Sequence, residues 1–219
     1  DIRNIDFNVT DRVHSPFIKV FEEERELTLM LMVDISASSL FGSSVQTKRN
    51  LITEICAVLS FSAISNNDKV GIVFFSDKIE KYIPPKKGKS HILFIIRELI
   101  TMTPHRNART DIAEVLKFLN NIMKKRSISF LMSDFVSGDF KSALQIASKK
   151  HDLIGVHVYD KSDAEIPDIG LLHLEDSETH QTQWIDTSST DFRMKYKDQF
   201  ENIEKHTKEV FAKSGASLV

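Results

Sequence analysis

The apolar positions of this chain follow two rhythms. Unbroken or nearly unbroken apolar runs over residues 27–33, 70–75, 128–132 and 153–159 have the length and continuity of strands covered on both faces in a parallel sheet. Between them, apolar residues recur every three to four positions. Leu51, Ile55, Val58, Leu59 and Ala63 mark a helix over 45–64, and further helices are predicted over 90–100, from Asp111 to the basic cluster Lys124-Lys125-Arg126, and over 140–149. Asp111 with Glu114 three positions on has the form of a capping box, and the basic cluster suits a helix C-terminus. A short alternating strand is expected around 79–83, and Pro84-Pro85-Lys86-Lys87-Gly88 is expected to break the chain after it. Near the end, 171–174 and 183–186 predict a hairpin, and an amphipathic helix starts after Thr190 and stops at Gly215. Strand and helix patterns alternate throughout. This predicts an α/β fold: a doubly wound, mostly parallel central sheet with helices on both faces and an antiparallel edge strand.

Composition narrows the picture only at a few points. With 219 residues there is ample chain for one large domain and its core. The 29 basic and 31 acidic residues leave a net charge of -2, which provides no electrostatic footprint for nucleic acid or for an anionic membrane surface. One cysteine, Cys56, excludes an internal disulfide and a cysteine-rich zinc site. No apolar run approaches the roughly 20 residues that span a bilayer. The chain begins without Met and stops at Ser217-Leu218-Val219, which resembles the start of a strand, so its C-terminal end is read as truncated. A cytoplasmic setting is expected, with membrane association of the full-length protein left open.

The candidate chemistry sits where two apolar runs end. The first leads into Asp34-Ile35-Ser36-Ala37-Ser38 and the second into Ser133-Asp134. The carboxyl ends of parallel strands are where open α/β sheets place their ligands. In a loop past a strand end, alternate residues turn toward one point, so a carboxylate and two hydroxyls converge on it. With Asp134 after a second strand and Thr110 at a loop-to-helix junction, the set is all oxygen, which hard divalent cations prefer. By itself Asp-x-Ser-x-Ser is a weak motif, because serine-rich loops are ordinary turns.

Taken in order, these residues resemble the metal-ion-dependent adhesion site of von Willebrand factor A domains, from about Leu27 onward. The resemblance implies that Ser36 and Ser38 bind the metal directly, that Thr110 does so directly or through water, and that Asp34 and Asp134 stand in the inner or next layer of ligands. Mg²⁺ is the expected ion, with Mn²⁺ or Ca²⁺ in its place, and a partner's acidic side chain would complete its surroundings. Further segments resemble a narrower bacterial family, domain of unknown function fifty-eight: Ile5-Asp6-Phe7-Asn8-Val9, Phe21 to Glu26, Tyr82-Ile83-Pro84-Pro85, Arg126-Ser127 and Ser133-Asp134-Phe135. Residues 1–26 are then a family-specific extension packed on the A-like domain of 27–219. Members are commonly encoded beside MoxR-type AAA+ ATPases, which implies a non-enzymatic adaptor acting with such an ATPase or its client. One departure matters: Ala108-Arg109 precede Thr110 where the family usually has a glycine nearby, whereas Phe135 after Asp134, in place of the glycine usual in A domains, is shared by the narrower family.

Rival readings use the same strand ends. A metal-dependent hydrolase or phosphotransferase needs a nucleophile or general base near the ion, and only His105 and Asp77 offer themselves, neither with a supporting spacing. A metal-free scaffold with a degenerate site would be favoured by Arg109. Gly88-Lys89-Ser90 imitates a phosphate-binding loop, but Ile83 stands where the motif needs glycine, and Pro84-Pro85 remove backbone donors.

Overall fold

A computed structural model describes residues 26–36, 47–102, 109–175 and 182–219. The predicted N-terminal extension, Ser38 and His105 lie outside the described residues. In chain order the first elements are β1 (Thr28–Asp34), α1 (Lys48–Ser65), β2 (Lys69–Phe75), β3 (Ile79–Lys86), α2 (Lys89–Thr101) and α3 (Ile112–Ile122). There follow β4 (Ile128–Ser133), α4 (Lys141–Lys150), β5 (Asp152–His157) and the short α5 (Lys161–Ala164). The chain closes with β6 (Leu171–Glu175), β7 (Thr182–Asp186), α6 (Thr190–Ser214) and β8 (Ser217–Leu218). Six strands form one sheet in the order β3-β2-β1-β4-β5-β8, parallel throughout except for β3. β6 and β7 make a separate antiparallel pair.

The unbroken apolar runs are central strands because both faces of the sheet are covered. Met30, Leu31 and Met32 of β1 have no exposed surface. Leu31, Val33, Ile72 and Phe74 pack under Ile52 and Cys56 of α1 and Ile92, Ile95 and Leu99 of α2. Met30, Met32, Val73, Phe75 and Leu131 pack under Val115, Leu116 and Leu119 of α3, Leu144 of α4 and Phe211 of α6. Each such side chain contributes about 1.5–3 kcal/mol by leaving water. Cys56 Sγ meets Met132 Sδ at 3.4 Å, so α1 and β4 touch through their sulfurs.

Helix ends follow their local chemistry. Thr47 caps α1 by accepting from Asn50 N, and Ser189 caps α6 by accepting from Phe192 N. Gly215 ends α6 in the left-handed conformation, as its position predicted.

Two elements differ from the sequence expectation. Pro84 and Pro85 do not break the chain; they lie inside β3, which runs to Lys86. β3 is an edge strand, and an edge tolerates residues without an N–H. The pairing with β2 shifts register between Val70 and Ile72, and Gly71 makes the close approach feasible. A Cβ there would lie 2.9 Å from Pro85 N and 2.8 Å from Met30 Sδ. The other surprise is α5, one turn made by a capping box: Asp160 accepts from Ser162 N at 2.9 Å while Asp163 accepts from Asp160 N at 2.8 Å. Asp163 also pairs with the nearly buried Lys48 at the start of α1, at 2.5 Å.

Candidate metal centre

From β1 the chain moves outward to β2 and β3, and β4 then adds on the opposite side of β1. The connections therefore part above the carboxyl ends of β1 and β4, the place where doubly wound sheets open a crevice. Asp34 ends β1, Ser133 ends β4, and Asp134 follows directly.

Asp34 is 2% exposed and organises the crevice. Its Oδ1 accepts from Ser36 N at 2.8 Å. Its Oδ2 accepts from Ser133 Oγ at 2.6 Å and from Thr110 Oγ1 at 3.1 Å. A hydroxyl that gives its proton to a carboxylate keeps its lone pairs, so Thr110 and Ser133 remain oxygen donors for a cation. Thr110 is held from both sides. Asp111 N donates to Ser76 O at 2.8 Å, and Ser137 Oγ donates to Thr110 O at 3.0 Å while accepting from Ile112 N at 3.3 Å. Asp111 itself caps α3 by accepting from Glu114 N at 3.0 Å, one half of the predicted capping box.

Asp134 is half-buried and accepts from Val136 N at 3.1 Å, closing a tight turn. That turn sets Phe135 at φ 57, a left-handed conformation in which a non-glycine residue is uncommon. Its ring offsets the strain by packing against Phe140, His157 and Phe211, at centroid distances of 6.2, 5.7 and 5.3 Å. Thus Phe135 is anchored by the core.

Burial, and then the negative charge of Asp134, push the Asp34 carboxyl up to about 6, against hydrogen bonds from Ser133 and Ser36 that favour the anion. Arg49 shares a small cavity wall with Asp34, yet its guanidinium is turned to the carbonyl oxygens of Leu99, Ile100 and Met102 at the end of α2. Among the described residues no three His, Cys, Asp or Glu side chains cluster as metal ligands. The donors here are two carboxylates and three hydroxyls, without thiolate or imidazole. That set fits a hard divalent cation, whose charge would relieve the repulsion between Asp34 and Asp134.

The structure thus places Asp34, Ser36, Thr110 and Asp134 around one crevice, while Ser38 lies outside the described residues. Arg109 is exposed. Asp77 accepts from Ser76 Oγ at 3.1 Å within the β2–β3 turn. Sequence reasoning missed Ser133 and Ser137. The one available signal was the hydroxyl directly before Asp134.

The model of the family described as protein of unknown function DUF58 matches residues 1–206. An uncharacterized protein of Mycobacterium tuberculosis strain H37Rv is 29% identical over 182 residues, covering 82% of this chain and 57% of the relative. The chain thus spans little more than half the length of that relative. Two solved structures share the fold at 14% identity, each covering 86% of this chain and 98% of the other. They are an aerotolerance-related membrane protein from Bacteroides fragilis, TM-score 0.55, and BatB from Bacteroides thetaiotaomicron, TM-score 0.50. Among the described residues, no helix is long and apolar enough to cross a membrane. Matched over nearly its whole length, and built on the doubly wound, mostly parallel sheet its apolar runs predicted, the chain belongs to the DUF58 family.

Proposed function

We propose that this domain is a non-enzymatic, metal-dependent protein-binding module. Asp34, Ser36, Ser38, Thr110 and Asp134 would hold Mg²⁺, or Mn²⁺ or Ca²⁺, and the bound ion would supply a positive centre for an acidic side chain of the partner. The observation that carries this reading is Asp34, a 2%-exposed carboxylate ringed by hydroxyls and set beside a second carboxylate at the switch point of the sheet. Such a group destabilises the fold on its own account, and cation binding offsets that cost. The chain's own residues divide the work. Asp34 and Asp134 supply charge, the hydroxyls supply neutral oxygens, and Ser137 and Ser76 hold the Thr110 loop in place.

A MoxR-type AAA+ ATPase, or a client it remodels, is the partner we propose. The support is the gene neighbourhood of the family this chain belongs to.

Calorimetric titration of Mg²⁺ and Mn²⁺ into the wild type and Asp34→Ala tests the site. Saturable binding is expected in the wild type and none in the variant. Equal heats from both proteins would move the ion elsewhere and sink the reading. The partner is tested by binding to a purified MoxR-type ATPase with Mg²⁺ and again with chelator, where chelation is expected to abolish the complex.

A further inference from the structure

The β6–β7 hairpin carries its apolar side chains in an unusual place. In an antiparallel pair, directly opposed residues share a face. The pairs Leu171↔Asp186 and His173↔Trp184 therefore put Leu171, His173, Trp184 and Asp186 on one side. Leu171 is 70% and Trp184 67% exposed, and Ile169, just before the hairpin, is 61% exposed. Leu172 and Ile185, on the other side, are half-buried. The outward face thus carries the chain's one tryptophan in water, its ring tilted at 43° to that of His173 with centroids 4.8 Å apart.

The hairpin is also a pinned arm. Thr187, fully buried, donates through Oγ1 to Gly170 O at 2.7 Å and accepts from Ile169 N at 3.0 Å. Arg193 of α6 donates to Thr187 O at 2.7 Å and pairs with Asp168 at 3.1 Å. A face held this way loses little freedom when something binds it.

We infer that this outward face docks a basic segment, rich in Arg or Lys, of a partner protein, and that it does so apart from the metal centre. Charge selects this occupant. Between Asp160 and Asp191 the chain carries nine carboxylates and a single basic residue, Lys161. Asp163, Glu165 and Asp168 are paired to Lys48, Lys197 and Arg193. Asp186, on the outward face itself, is held below the usual carboxylate range by hydrogen bonds from Ser188 and stays anionic. An exposed indole with the Asp186 carboxylate on the same face suits a guanidinium, which stacks on the ring while meeting the negative charge. The same charge repels nucleic acid and anionic lipid. Exposed apolar groups with a polar rim mark protein-binding surfaces, and Trp and Arg dominate their energetics.

The test uses a fluorescein-labelled octapeptide of alternating Arg and Leu, followed by anisotropy at about 0.15 M salt, with the alternating Glu-Leu peptide as control. The wild type is expected to bind the basic peptide saturably, with and without chelator. Trp184→Ala and Leu171→Ser, each checked for native circular dichroism, are expected to bind it about tenfold or more weakly. Undiminished binding by both variants, equal binding of the acidic peptide, or no binding by the wild type would each overturn the inference. So would self-association of the wild type that Trp184→Ala abolishes, since that assigns the face to a second copy.

Discussion

With its carboxyl pushed up to about 6 from an ordinary 3.8, Asp34 holds a proton in the folded, metal-free protein over a range where the unfolded chain has released it. The folded state therefore binds more protons between about pH 4 and pH 6, and stability falls as pH rises through that window, by up to about 3 kcal/mol. Asp34→Asn keeps an acceptor for Ser36 N and removes the charge. It is expected to raise the melting temperature of chelated protein at pH 7.5, by about 2–4 °C for each kcal/mol regained, while abolishing Mg²⁺ binding. The same proton competes with the ion. Mg²⁺ affinity measured by calorimetry is expected to be flat above about pH 6 and to drop about tenfold per unit below it. An affinity indifferent to pH from 5 to 7.5 would remove Asp34 from the ligand set. At this scale the sequence showed Asp34, Ser36 and Asp134 plainly, because each stands at or just past the end of a buried apolar run. Thr110 showed only as a hydroxyl at a loop-to-helix junction, a weak signal that resemblance to a family strengthened. Ser133 was not legible, since a small polar residue closing a strand has no spacing of its own. Only the register that sets Val33 against Met132 carries its hydroxyl to Asp34.

At the scale of elements, periodicity found the longer helices and the parallel strands, because each buries a full stripe or both faces. It failed where one turn or one edge obeys local chemistry. α5 has four residues and no stripe, only the reciprocal bonds of Asp160 and Asp163. β3 keeps its prolines because it has a partner on one side alone. The contact between β5 and α6 is a place where an element tolerates no added atom. A Cβ on Gly155 would lie 2.5 Å from the Phe211 ring and 2.8 Å from Leu218. Gly155→Ala is expected to cost about 1–3 kcal/mol through overpacking, read as a lower thermal midpoint. Phe211 also packs against Phe135, which follows Asp134, so the variant is expected to weaken Mg²⁺ binding as well. An unchanged midpoint would show that Phe211 can withdraw without loss.

For the whole molecule, the alternation of patterns announced an α/β fold, but no single segment states the strand order. That order puts β1 at the divide and so brings together residues 76 and 99 positions away from Asp34. It also leaves β6 and β7 outside the main sheet, with hydrogen bonds only to each other along the ladder. Amide hydrogen exchange is expected to follow this division. Amides of β6 and β7 should exchange through local opening, well before those of β1 and β4, whose protection should match global unfolding. Equal protection in both sheets would mean that the hairpin opens only with the core. The sulfur contact between α1 and β4 turns this layering into a clock. Cys56 is the chain's one thiol, it is fully enclosed, and burial pushes its ionisation up, so a thiol-directed dye finds no reactive anion while the layers stay closed. Each labelled molecule therefore records one parting of α1 from the sheet, and a saturating ion at the crevice should lengthen the wait between such events.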